Sequence, residues 1–397
     1  MFEQMLAQLE DAPPATHSPT VSSVAVIGAD PIGQVLACAA LAAGCDVTLH
    51  SSFGLEARRL TDADDIKVEG GDLSGTFRVI AGDASSREPA IRVVPELDLA
   101  VKGADAILLS VPAFAHATYA SLLAPVLRTG QLLVLVPGRS LGALEVARVL
   151  HRQRARHDLN VVELCAAPYL VHQPQPGRVV VEGEHRVVLA AALANSATPT
   201  ATDALRTIMP MLRPASGVLE ASFSNMAGLL VGAPALLAAS APGPATLRER
   251  LSADLIDSVL VRLDRERRRT GFAFGVRDLP SFPEWLEVSF GTVEQDVALA
   301  LDEVAAYRQL PCPAVGDAAV RDAVATGLVP IASAAEIAGV PTPTTSGLIA
   351  LASALHGFDH MRHGRTMAAL GLDRMRPDEI RRALDGADPV LAQEVLA

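Results

Sequence analysis

Residues Val24 to Ser52 read as a strand, a glycine turn, a helix and a second strand in direct succession, and no other stretch restricts the fold so strongly. The apolar run Val24–Ile27 suits a buried strand, and Gly28 permits the tight turn that follows. Gly33 and the small residues Ala37, Ala39, Ala40 and Ala43 let a helix lie close on the sheet. Gly44 ends that helix, and Asp46–His50 returns as a parallel strand. The spacing Gly28-x-Asp30-x-x-Gly33 is that of a dinucleotide-binding turn whose middle glycine is Asp30. Glycine there lets the backbone approach a pyrophosphate. A carboxylate adds bulk and, at ~4 Å from a phosphate under an effective dielectric of ~20, repulsion on the order of 4 kcal/mol. The turn therefore constrains the fold more firmly than the ligand.

The same alternation continues downstream. Phe77–Ala81 and Ile91–Val94 suit short strands, Ala106–Val111 and Gln131–Val136 buried parallel ones, and Ala115–Leu127 between them has helical spacing. Leu144–Arg156 reads as a helix, Asn160–Leu164 as a strand and Arg178–Leu189 as the last strands of this unit. After about residue 195 helical periods take over, at Thr202–Leu212, Leu251–Thr270, Phe282–Phe290, Val293–Tyr307, Ala332–Ala338, Thr345–His356 and Pro377–Leu384. The expected fold class is α/β, a Rossmann-like doubly wound parallel sheet followed by an all-α C-terminal domain. Its expected divisions are a flexible lead over 1–20, a dinucleotide-binding domain over 21–195 and a helical substrate and dimerisation domain over 196–397.

Bulk properties narrow the function. A net charge of −12 supplies no electrostatic footprint for nucleic acid and points instead to a small polar substrate. The cysteines Cys38, Cys45, Cys165 and Cys312 lack metal-ligand spacing and fit a reducing cytoplasm. The N-terminal run lacks the basic start of a secretory signal, and apolar runs such as Ala227–Ala241 are too short and interrupted to span a bilayer, so a cytoplasmic protein without a membrane segment is expected. Lysine occurs only at Lys67 and Lys102, which removes most Schiff-base candidates.

Three blocks carry a family resemblance. Val111–Glu145, VPAFAHATYASLLAPVLRTGQLLVLVPGRSLGALE, resembles the opine dehydrogenases of the octopine and nopaline type, from the fourth strand through the Pro-Gly-Arg turn. Leu263–Gly291 and Thr326–Pro343 are similar to that family's helical domain, and opine metallophore synthases are the nearest alternative subgroup. The resemblance implies a two-domain fold and NAD(P)H-driven reduction of an imine formed from an amino acid and a 2-keto acid; a homodimer is expected. It also implies a His–Asp pair that moves the proton. Counting from Asn225 in SNMAGLLVGAP puts Val231 at the histidine position, whereas matching the following proline-containing block puts Gly232 there. In RDAVATGLVP, Ala323 takes the aspartate position, with Asp322 beside it. The pair is expected to be missing. An arginine expected after the Pro-Tyr of PYLVH is His172, which weakens a carboxylate clamp.

Candidate residues follow from both readings. The cofactor-binding set is Gly28, Asp30, Pro31, Ile32 and Gly33 at the turn, His50, Ser51 and Arg58 after the second strand, and Pro112, His116 and Pro137 after the later strands. Because His50-Ser51-Ser52 lacks an acid for the adenosine ribose, NADP, with Arg58 on its 2′-phosphate, is expected ahead of NAD. The catalytic set is His172, with Glu163 to raise its basicity as a replacement acid/base pair, and Asn225, with Ser224, on a substrate carboxylate or amide. Helix capping is the competing use of Asn225. His356, His360 and His363 superficially suggest a metal, but glycines flank them and no acidic base intervenes, so no metal is expected. Two other functions share this fold: a non-redox condensation or elimination in secondary metabolism, and an inactive binding protein.

Overall fold

In the computed structural model, which describes residues 20–82, 88–153, 160–175, 177–241 and 243–386 together with residues 390, 393 and 395, a mixed sheet precedes a helical half. The expected lead over 1–20 lies outside the described residues except for its last position, as does the end of the expected helix at Leu144–Arg156. Strand β1 (Ser23–Ile27) lies in the middle, paired in parallel with β2 (Asp46–His50) and β6 (Ala106–Leu109). Parallel pairing continues outward through β5 (Ile91–Val94) and β4 (Gly75–Ala81) on one side and through β7 (Leu132–Leu135) and β8 (Asn160–Leu164) on the other. Apolar residues fill β6 and β7 completely because helices cover both sheet faces. The helices of this half are α1 (Pro31–Ala42), α2 (Gly54–Asp62), α3 (Leu97–Val101), α4 (His116–Leu123) and α5 (Gly142–Arg152).

Four further strands, β3 (Asp65–Glu69), β9 (Tyr169–Gln175), β10 (Arg178–Glu184) and β11 (Val188–Ala192), precede β12 (Leu212–Pro214), giving a 12-stranded sheet in the order β12-β11-β8-β7-β6-β1-β2-β5-β4-β3-β10-β9. The sheet thus extends beyond residue 195. Strand β12 pairs in parallel with β11, and the helix Thr198–Leu205 packs beneath both, in place of the expected helix Thr202–Leu212. A three-residue strand made of Leu, Arg and Pro carries no alternation, so only its neighbour reveals it. Strands β3 and β9 escape notice for a related reason: they are short and interleaved with polar residues, and their pairing partners are distant in sequence.

From Val218 onward the chain is helical, with a second core around Phe282, Trp285, Leu286, Tyr307 and Ile349. Two π-helical turns, Gly228–Gly232 and Val324–Leu328, lie against each other in this half. The helical run Ala318–Ala338 that contains the second turn is long and apolar enough to cross a membrane, but 83% of its apolar window is buried in protein. It serves as the central core helix. Strands β9 and β10 reach across to the helical half, where Leu170 joins the second core and His185 packs against Trp285 and Phe290.

Candidate functional site

The glycine turn forms at the carboxyl end of β1, beside the point where strand order reverses between β1 and β6. Gly28 has φ +109°, and a Cβ there would lie 1.8 Å from the Ser110 carbonyl oxygen. A Cβ on Gly33 would lie 2.0 Å from the Gly28 carbonyl oxygen, so glycine at both ends of the fingerprint is a packing necessity. Asp30 caps α1. Its Oδ1 accepts from the Gly33 N–H at 2.9 Å and from the Ser110 hydroxyl at 2.9 Å. Pro31 begins the helix and has no N–H, while the N–H groups of Asp30 and Ile32 find no acceptor among the described residues.

After β2, His50 is buried with Nδ1 donating to the Val94 carbonyl at 3.0 Å, and its Nε2 lies 3.3 Å from the Ser52 hydroxyl. Ser52 in turn bonds the Tyr119 hydroxyl of α4 at 2.9 Å. The expectation that this end lacks an acid needs correction. Glu56, in the first turn of α2, folds back to accept from the Ser51 hydroxyl, and its charge acts on Asp30. A carboxylate reached through a helical turn instead of by adjacency in the strand leaves no simple sequence signal. Arg58 lies on the exposed face of α2, without an ion-pair partner among the described residues.

The segment after β6 and the turn after β7 approach the helical half together. Pro112 leads into the buried His116, neither of whose ring nitrogens has a partner among the described residues; burial first, then Arg365 and Arg139, hold its pKa well below the ordinary histidine value. The Val136–Pro137 bond is cis, and Arg139 and Leu141 just after it have φ of 63° and 61°. Asp322 from the helical half receives Arg139 Nε at 3.1 Å and the Phe114 N–H at 3.0 Å. Arg365 donates to the carbonyls of Ala113, Gly138 and Ser140 and to Glu145. Asp322, the neighbour of the family's aspartate position, is thereby committed to bracing the turn.

The expected pairing of His172 with Glu163 does not form. Glu163 is fully buried at the end of β8, where it accepts from the Ala143 N–H at 2.8 Å and the Ser222 hydroxyl at 2.7 Å. Burial raises its pKa to about 7 against those hydrogen bonds. His172 lies on β9, with Nδ1 3.1 Å from Glu182 of β10. The antiparallel hairpin of β9 and β10 supplies Glu182, and the polar, short β9 carries no periodicity that would announce it in the sequence. Asn225 is 4% exposed, gives its amide N–H to the Ser140 hydroxyl at 3.2 Å and accepts from the Ala227 N–H at 3.0 Å. It ties the start of the first π turn to the Pro-Gly-Arg turn, and Ser224 beside it is buried with its hydroxyl unpartnered among the described residues.

The two π turns bring Gly232 and Ala323, the positions expected from the resemblance for a His–Asp pair, side by side. A Cβ on Gly232 would stand 3.7 Å from the Ala323 Cβ, an ordinary contact, which favours the alignment through Gly232 over the one through Val231. π-Helical turns inserted in α-helices are frequent at functional sites. On helices that pack against the second π turn, His356 Nδ1 accepts from His360 Nε2 at 2.7 Å while its Nε2 donates to the Val315 carbonyl, and His363 stacks on Phe358. No group of three or more His, Cys, Asp or Glu able to hold a metal occurs among the described residues.

The turn after β1, the ends of β2, β6 and β7, and the π turns thus meet along one edge of the sheet. The family model for the NAD/NADP octopine/nopaline dehydrogenase alpha-helical domain matches residues 214–356. An opine dehydrogenase of Arthrobacter sp. (strain 1C) is 28% identical over 341 residues, covering 84% of this chain and 91% of that protein. An octopine dehydrogenase solved with NADH and agmatine has the same fold at a TM-score of 0.70 and 20% identity, over 92% of this chain and 98% of the other. A yersinopine dehydrogenase solved with NADP+ aligns at a TM-score of 0.65 and 16% identity, over 95% and 99%. The three sequence blocks, the match to the helical half and the shared fold agree: the chain is similar to the opine dehydrogenases over most of its length.

Proposed function

We propose that the protein is an NAD(P)H-dependent oxidoreductase that reduces an imine or carbonyl of a small amino-acid-derived substrate held between the sheet edge and the π turns. The observation that carries this reading is the convergence of the Gly28–Gly33 turn, the Pro112–His116 segment and the cis-Pro137 turn on the same edge as Gly232 and Ala323. The residues present fit a dinucleotide. The unpartnered N–H groups of Asp30 and Ile32 can hold pyrophosphate oxygens, Glu56 and Ser51 stand where a ribose diol would need acceptors, and Pro112, His116 and Pro137 line the nicotinamide end. The bound dinucleotide supplies the hydride.

The protein's own part is positional. Asp322 and Arg365 fix the two turns against the helical half, and a neutral His116 adds no positive charge beside the cleft. Neither Gly232, Val231 nor Ala323 carries an exchangeable side-chain proton, so the proton that completes reduction comes from water, from His172 with Glu182, or from a substrate already protonated as the imine. Loss of general acid–base help costs a factor of ~10²–10⁴ and leaves slow turnover. Glu56 argues for a free 2′-hydroxyl, which makes NADH the tighter ligand. A homodimer in the cytoplasm belongs to the same reading.

Fluorescence titration with NADH and NADPH, followed by cofactor oxidation with pyruvate or 2-oxoglutarate and common amino acids, tests it. We expect saturable binding, tighter for NADH, and slow turnover; a further fall in His172→Ala would assign the proton to His172, and no change would assign it to water or to the protonated imine. Failure to bind either dinucleotide overturns the reading. Tight binding with no oxidation would favour the second reading, a binding protein or non-redox catalyst, which the lack of an ionisable side chain at Gly232 and Ala323 supports.

A further inference from the structure

In the dinucleotide turn, the atom that meets the Gly33 N–H belongs to the protein itself. Asp30 Oδ1 accepts from that amide and from Ser110 on the adjacent strand end, in the position where helix N–H groups and the helix dipole would otherwise favour a phosphate oxygen. Pro31 withholds a second donor, leaving Ile32 as the unpartnered N–H of the first helical turn. The groups acting on Asp30 from the elements around it are Gly33 of its own helix, Ser110 after β6 and Glu56 of α2. Only Glu56 among them is charged, and its charge is negative. Among the described residues, no cation is one of the groups that act on the Asp30 carboxylate.

Resting on the dinucleotide reading above, we propose that Asp30 is a resident occupant of the anion end of the site, and that dinucleotide binding near neutral pH is coupled to uptake of one proton onto its carboxylate. The proton comes from solvent and goes to a carboxyl oxygen, which removes the like-charge contact; the Ser110 hydroxyl can then rotate to bond the pyrophosphate. Burial, the largest influence on this carboxyl, already raises its affinity for a proton, with Glu56 acting in the same direction. A glycine at this position would bind the cofactor without such coupling. This chain would bind it more tightly as the pH falls.

Calorimetric titration of the full-length protein with NADH, in buffers of different ionisation enthalpy, measures the protons taken up directly. We expect uptake approaching one proton per NADH, and a dissociation constant that falls by up to ~tenfold per pH unit between pH 8 and 6. Asp30→Asn keeps a side-chain acceptor for the Gly33 N–H, so the cap survives; it should bind NADH more tightly than wild type at pH 8, with no proton uptake. Asp30→Gly should behave likewise, with the added flexibility of glycine. Equal affinity and zero uptake in wild type and both variants would overturn the proposal while leaving the dinucleotide reading intact. Proton uptake that persists in Asp30→Asn would also overturn it, placing the proton elsewhere. Absence of NADH and NADPH binding by all three proteins would remove the cofactor reading itself, and this proposal with it.

Discussion

Glu163 shows how burial turns an ordinary carboxyl into a constraint on the whole fold. Its environment is fully buried, with an amide and a hydroxyl as partners, and its pKa rises from an ordinary 4.5 to about 7. The folded chain therefore holds a proton that the unfolded chain has released across that interval, so stability falls as the pH rises from about 4.5 to about 7 and stays lower above it. The full effect is on the order of 3 kcal/mol. Glu163→Gln should flatten this part of the profile and be more stable than wild type at pH 8, as measured by urea unfolding at pH 5 and pH 8. An unchanged slope would assign the pH dependence to other groups. The sequence suggests Glu163 as the carboxylate beside His172, but its partners are Ser222 and Ala143, which lie 59 and 20 residues away.

At the scale of elements, the strand–turn–helix opening is held by backbone proximity. Gly28→Ala would press a Cβ into the Ser110 carbonyl and force a left-handed φ on an L-residue, with no flexible side chain to give way. We expect loss of soluble folded protein or a fall of several kcal/mol in unfolding free energy. Gly54→Ala, in the first turn of α2 with nothing within 4 Å, should change stability by no more than about 1 kcal/mol, and in the favourable direction. Similar losses at both positions would mean that the turn is not the determinant. The central strands were legible because each is an apolar run between turn residues. The π turns were not, since Gly228–Gly232 and Val324–Leu328 have the composition of ordinary apolar helix, and only packing of one against the other distinguishes them.

Across the whole molecule, one side chain does much to join the two halves. Arg365 is fully buried; it donates at 3.0 to 3.1 Å to carbonyls of three residues in the sheet half and at 2.6 Å to Glu145. Removing one member of a buried charge pair typically costs ~3–5 kcal/mol. Arg365→Met should lower unfolding free energy by about that amount, and Arg365→Lys should rescue little of it, because an ammonium lacks the planar fork that reaches separate carbonyls. Urea unfolding of both variants checks this, and full rescue by lysine would argue against the fork. Nothing in the sequence around HGRT marks this arginine as different from those on exposed helices.

What the sequence determined by itself is local: the dinucleotide-type opening, the apolar parallel strands, the helical second half and the blocks that resemble the opine dehydrogenases. Each depends on side-chain periodicity or on conformations allowed within a few residues. Tertiary structure alone decided which charges meet. Glu56 came to the end of β2, Glu182 instead of Glu163 to His172, Asp322 to Arg139, and Asp30 to the very amide that its position in the fingerprint had suggested for a phosphate. Hydrogen bonds and ion pairs act over about 3 Å, and chain segments far apart in sequence reach that distance only through sheet order and helix packing.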